Sequence, residues 1–157
     1  MNINSAIVDG IRILKDNSIV NPHLDAEILM AKAIKKDRKY VLLNSDKKIN
    51  NKNLLYFQKL IKKRSNNMPL AYVINKKFFW NSEFYITNDT LIPRPDTELL
   101  VETVLKLTKK KNYSNILDIG IGSGCILISI LKERKNFYGT GIDISKNCLK
   151  ISKINAK

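Results

Sequence analysis

Apolar positions in the first third of the chain recur at helical spacing. Ile3, Ile7, Ile11 and Leu14 share one face of a predicted helix over residues 3–14. Asn21-Pro22 predicts a second helix, with Asn as its cap and Pro in its first turn. Leu24, Ile28 and Leu29 are expected to face inward there, with Ala31 and Ala33 permitting close approach. Residues 38–43 predict a short third helix. Asn50 can cap a fourth over residues 51–64, with Leu54, Phe57, Leu60 and Ile61 on one face. Residues 1–67 therefore read as a helical bundle whose apolar stripes form its core.

The pattern changes at Asn66-Asn67-Met68-Pro69, which reads as a linker. Two β-rich runs follow at residues 77–80 and 83–86, joined by a predicted turn at Asn81-Ser82. Their aromatics, Phe78, Phe79, Trp80, Phe84 and Tyr85, suit burial of a hairpin against a neighbouring domain, with a substrate surface as the alternative. Pro93-Arg94-Pro95 imposes a stiff extended segment, after which Asp96 or Thr97 is expected to cap a helix carrying Leu99, Leu100, Val104, Leu105 and Leu107. Residues 68–95 read as a linker with a β-hairpin, and 96–157 as part of a further domain.

That last part is organised around residues 116–124, Ile-Leu-Asp-Ile-Gly-Ile-Gly-Ser-Gly. An apolar β-branched run turns on three alternate glycines and enters the apolar run 125–131, read as a buried helix. Glycine permits positive φ and lets backbone approach a ligand where a Cβ would intrude. The amides opening the helix point into the same crevice, where open α/β sheets bind their ligands. Residues 137–142 predict the next strand, and Asp143 stands at its end, placed to accept hydrogen bonds from ribose hydroxyls. The unit reads as a pocket for a nucleoside-bearing cofactor. The dinucleotide fingerprint Gly-x-Gly-x-x-Gly would need a glycine where Cys125 stands. Asp118, just before the glycines, would repel a pyrophosphate and suits the ammonium of an amino-acid tail. The pattern resembles motif I of S-adenosylmethionine-dependent methyltransferases; a dinucleotide site and a glycine turn made only for packing are the alternatives.

Composition narrows the setting. With 44% hydrophobic residues the 157-residue chain can bury a core. Neither a membrane-spanning run nor the plan of a signal peptide is present, which implies a cytoplasmic protein. Cys125 and Cys148 read as small buried apolar residues. A single histidine, His23, excludes a histidine-based triad or metal cluster within this chain. The net charge of +14 fits an acidic partner such as RNA, or a Lys-, Asn- and Ile-rich composition throughout. The spread of lysines along the chain favours the second.

Taken together, the segments resemble the release factor glutamine methyltransferases, the PrmC/HemK family. The resemblance rests on Pro69-Leu70-Ala71-Tyr72-Val73, residues 78–80, the segment 91–102, residues 117–125, and Gly141-Ile142-Asp143-Ile144-Ser145. It implies an α/β chain: an N-terminal helical bundle, a β-hairpin linker, and the first part of a Rossmann-like class I methyltransferase domain. It implies S-adenosylmethionine as cofactor, held by Gly120, Ile121, Gly122, Ser123, Gly124 and Asp143. Asp118 would orient the methionine end or serve only as a strand-end acid that caps the turn. The reaction implied is methylation of the glutamine side-chain amide in the Gly-Gly-Gln motif of class I peptide chain release factors. The helical domain would recognise the release factor. Neither a metal nor direct nucleic-acid binding is required.

The sequence departs from the family pattern in three places. Asp96 stands where Glu is frequent, and Ile121 where Thr is frequent. The family's catalytic Asn-Pro-Pro-Tyr does not occur in these 157 residues; the only Asn-Pro, Asn21-Pro22, lies in the helical part and is followed by His23. No catalytic residue is therefore assigned, and the chain looks like the truncated first half of such an enzyme. The expectation is that it binds S-adenosylmethionine poorly and transfers no methyl by itself. A methyltransferase for another protein or nucleic-acid amino group, and a non-catalytic release-factor-binding module, are the other function classes.

Overall fold

A computed structural model covers residues 1–157, which divide into two compact units, Met1–Ile74 and Asn75–Lys157. No helix is long and apolar enough to cross a membrane.

The first unit is helical: α1 (Ile3–Asp16), α2 (Pro22–Ile34), α3 (Arg38–Leu43), α4 (Asn51–Ser65) and α5 (Leu70–Ile74). Asn2, Asp37 and Asn50 cap α1, α3 and α4 through side-chain oxygens that accept from Ser5, Tyr40 and Asn53 backbone N–H groups. Asn21, expected from sequence to cap α2, makes no side-chain bond of this kind; α2 opens on Pro22, whose ring fixes φ and removes one orphan donor. The core is built from Leu14, Leu29, Met30, Phe57 and Ile61, all essentially inaccessible. Phe57 alone contributes roughly 2–3 kcal/mol of burial. Leu24, expected inward, is 42% exposed. The inward face of α2 is instead set by Asp25, Ala26, Leu29, Met30 and Ala33. Asp25 is buried because its Oδ2 accepts from Arg64 Nε at 2.7 Å, tying α2 to α4. Residues 70–74, read from sequence as the start of a linker, form α5 within this unit.

The second unit opens with an antiparallel hairpin, β1 (Lys76–Phe79) and β2 (Ser82–Tyr85). Phe79 pairs with Ser82, so the turn is Trp80-Asn81, one residue earlier than the sequence suggests. Trp80 adopts φ +51, costly for a bulky residue. Glu98 accepts from its backbone N–H at 2.8 Å and Glu133 from its indole N–H at 2.9 Å, which hold the turn in that shape. A tight 3-10 turn, Pro95–Thr97, leads into α6 (Glu98–Leu107), so neither Asp96 nor Thr97 caps it through a side chain. Val101 is the buried residue of α6, whereas Leu99 and Leu107 are exposed.

β3 (Ser114–Ile119), α7 (Cys125–Glu133), β4 (Phe137–Ile142) and α8 (Lys146–Asn155) complete the chain. β3 and β4 pair in parallel, with Ile119 opposite Ile142, so their carboxyl ends lie side by side. This is a βαβ unit, and it leaves both strand-end acids at the same end. One sheet face is covered by α7: a Cβ on Gly139 would sit 2.7 Å from Leu127 and 2.8 Å from Leu131. The opposite face presents Leu117, Ile119, Tyr138 and Ile142 as exposed residues.

Candidate cofactor site

The turn between β3 and α7 is built by left-handed glycines. Gly120, Gly122 and Gly124 have φ of +82, +54 and +82. The chain cannot take this path with ordinary side chains without strain. The turn hangs on the end of β4, where the Ile142 carbonyl accepts from the amides of Gly120 at 2.8 Å and Ile121 at 3.0 Å. Gly124 donates to the Ile121 carbonyl at 2.8 Å and then opens α7. A Cβ on Gly120 would meet nothing within 4 Å, so this part of the turn faces open space. Gly124 is closed in: a Cβ there would lie 2.7 Å from Ile128 Cδ1 and 3.3 Å from Ser152 Cβ.

Asp143 is bound into the same turn. Its Oδ2 accepts from the Gly122 N–H at 2.9 Å and its Oδ1 from the Ser145 N–H at 2.8 Å. The Ser145 and Gly122 amides hold the Asp143 carboxyl below the usual carboxylate range. Asp118 lies half-buried near the end of β3 and behaves oppositely. Burial pushes its carboxyl up, the Leu127 backbone N–H opposes that, and the Asp143 charge adds to the rise. Ser123 is buried, and its carbonyl accepts from Asn155 Nδ2 at 2.8 Å. Ile121 packs its side chain over Gly141, where a Cβ would fall 2.0 Å from Ile121 Cδ1. Beside the turn lies a cavity of about 380 Å³ lined by Ile119, Gly120, Ile142, Asp143 and Ile144. Its walls are mainly apolar side chains, with one carboxylate at the edge.

The residues expected from sequence to hold the cofactor, Asp118, Gly120, Ile121, Gly122, Ser123, Gly124 and Asp143, are thus in or next to one turn. Sequence reading quoted Ser145 only within the segment 141–145 and gave it no role; its N–H donates to Asp143 and its hydroxyl caps α8 at the Cys148 N–H. Its Asp-x-Ser spacing ahead of a helix was a readable signal. Sequence reading gave no role to Ile144, quoted only within that segment, and it missed Asn155, for which no local pattern exists. Cys125 is buried, and burial pushes its thiol up, consistent with a packing residue.

The glycine turn, the acid at the neighbouring strand end and the parallel βαβ unit define a class: part of a Rossmann-like fold of the class I methyltransferase type, preceded by a helical domain. A family model described as PrmC N-terminal domain matches residues 5–74. The release factor glutamine methyltransferase of Buchnera aphidicola subsp. Baizongia pistaciae is 40% identical over 137 residues, covering 87% of this chain and 50% of the relative. Its namesake in Buchnera aphidicola subsp. Acyrthosiphon pisum is 38% identical over 156 residues, 99% of this chain and 55% of the relative. That of Clostridium botulinum is 42% identical over 130 residues, 83% of this chain and 46% of the relative. Over nearly its whole length the chain is similar to release factor glutamine methyltransferases, and it spans about half the length of the relatives it matches.

Proposed function

We propose that this chain carries the cofactor cradle and the partner-recognition unit of a methyltransferase acting on the glutamine amide of the Gly-Gly-Gln motif in class I release factors. The observation that carries the reading is the Asp143 carboxylate bonded to the Gly122 amide at the mouth of an apolar cavity. S-Adenosylmethionine fits the chemistry of these residues. Each Asp143 oxygen spends one lone pair on a protein amide and keeps another for a ribose hydroxyl. Ile119, Ile142 and Ile144 offer an apolar surface for an adenine. Asp118 offers a negative charge for the amino-acid ammonium, and the open side of Gly120 lets backbone approach the ligand. When bound, the cofactor supplies an electrophilic methyl group.

The residues of this chain bind and orient; none is assigned to the chemistry. An amide nitrogen is a poor nucleophile, so such a reaction relies on positioning, and its donor must be held rigidly. The helical unit, matched by the PrmC N-terminal domain model, is the proposed contact for the release factor. Its excess of lysines would assist docking without specifying it.

The test is an amide-resolved NMR titration of the 157-residue chain. S-Adenosylmethionine should shift the Gly120, Gly122, Gly124 and Asp143 amides saturably, even if weakly, and Asp143→Ala should abolish the shifts. A response of these amides to NAD instead, or to neither ligand at millimolar concentration, would overturn the reading.

A further inference from the structure

α8 grips the glycine turn along one face. Ser152 and Asn155, three residues apart, lie on the same side of the helix. Ser152 packs against Gly124, where a Cβ would come within 3.3 Å of it. Asn155 donates from Nδ2 to the Ser123 carbonyl at 2.8 Å. The same Nδ2 donates to the Tyr85 carbonyl at 2.9 Å, while Asn155 Oδ1 accepts from the Tyr85 N–H at 2.8 Å. Both amide donors and one acceptor are therefore engaged. Toward β2 the side chain imitates a neighbouring strand, satisfying both backbone groups of Tyr85. Toward the turn it fixes one carbonyl.

We infer that Asn155 is a positioning residue for the glycine turn, and that through it the β1–β2 hairpin sets the orientation of the Ser123–Gly124 peptide. The peptide is planar and trans, so directing the Ser123 carbonyl at Asn155 directs the Gly124 N–H the opposite way. That N–H closes the turn on the Ile121 carbonyl at 2.8 Å. Gly124 also supplies the carbonyl on which α7 begins, accepting from the Ile128 N–H at 2.9 Å. Asn155 thus acts on both the shape of the turn and the start of the helix behind it. Asp143 fastens the Gly122 side of the turn and Asn155 the Ser123 side, so the turn is held at two points before any ligand arrives. Such preorganisation strengthens binding by removing an ordering cost. The consequence for affinity rests on the proposal that this turn holds S-adenosylmethionine; the positioning itself does not.

The experiment compares the wild-type 157-residue chain with Asn155→Asp, which keeps the shape but turns a donor into an acceptor facing two carbonyls. Amide hydrogen exchange is measured without ligand, followed by titration with S-adenosylmethionine. Exchange at Gly124 should accelerate by about tenfold while α1 and α4 amides keep their rates, and cofactor affinity should fall by a comparable factor. If exchange accelerates but the wild type itself binds no S-adenosylmethionine, the positioning role stands and the cofactor reading falls. If Gly124 exchange is unchanged, or rises only in step with the rest of the second unit, Asn155 is an ordinary helix-end contact and the inference is overturned. Should the Asp variant fail to fold, Asn155→Ser removes the amide without adding charge and carries the same comparison.

Discussion

Gly122 donates its backbone N–H to Oδ2 of Asp143 at 2.9 Å, across 21 residues of chain. The acid at the end of one strand thereby shapes the turn at the end of its neighbour. Parallel pairing makes this possible, since Asp118 and Ile119 lie opposite Gly141 and Ile142 and both strands leave the sheet at the same end. A residue expected to serve a ligand also serves the fold of the ligand's cradle.

Asp143→Asn should therefore weaken the cradle as well as the proposed ribose contact. One oxygen is replaced by a donor that faces the N–H of Gly122 or Ser145. S-Adenosylmethionine affinity, read by titration calorimetry or NMR, should fall by about tenfold or more. Because the Asp143 carboxyl lies below its ordinary range, its contribution to stability is present above pH ~4 and is lost as pH falls through the depressed value. Acid unfolding of the parent should be steeper below pH ~4 than that of the Asn variant.

Asp118 carries the opposite sign. Its folded carboxyl is raised, chiefly by burial, so the folded state binds the proton more tightly than the unfolded chain. Its effect disfavours folding increasingly as pH rises from ~4 through the raised value. Asp118→Asn should consequently raise the urea midpoint near neutral pH while flattening its decline above pH ~4. If Asp118 also receives the cofactor's ammonium, the same variant loses S-adenosylmethionine affinity. A gain in stability with unchanged affinity would identify it as a strand-end acid only.

Gly124→Ala should be the most damaging glycine substitution in the turn. Alanine resists φ +82, and its Cβ would crowd Ile128 at 2.7 Å. The left-handed conformation alone costs about 1–2 kcal/mol, to be read from urea unfolding. Gly120→Ala meets no atom within 4 Å and should cost only the conformational part.

In the helical unit, Arg64→Met should be strongly destabilising. It leaves the Asp25 carboxylate, whose side chain is 7% exposed, without its cation. Breaking a buried pair from one side costs about 3–5 kcal/mol. Asp25→Leu combined with Arg64→Met should recover much of that loss in a thermal melt, because no buried charge remains.

Much of the architecture was legible because it is written in local periodicity. The stripe Leu54, Phe57, Leu60 and Ile61 declares α4, and the alternating glycines declare the turn after β3. The limits of β4 at Phe137–Ile142 are those expected from the sequence, with Asp143 just past its end. The face of α2 was not legible, since nothing in its own sequence says that Asp25 will be drawn inward by Arg64, 39 residues away. The hairpin turn shifted by a residue for a similar reason: Trp80 can occupy a left-handed position only because Glu98 and Glu133 take its two N–H groups.

The sequence by itself determined the first four helices, the hairpin, the glycine turn, the two acids at adjacent strand ends and the resemblance of the whole chain, because each rests on residues close together or on short motifs at fixed spacing. Only the tertiary structure decided how the turn is held. Asn155 lies 32 residues beyond Ser123 and 70 beyond Tyr85, yet hydrogen-bonds both. A hydrogen bond is made in space, between groups that no sequence pattern brings together until the helix carrying one of them has packed.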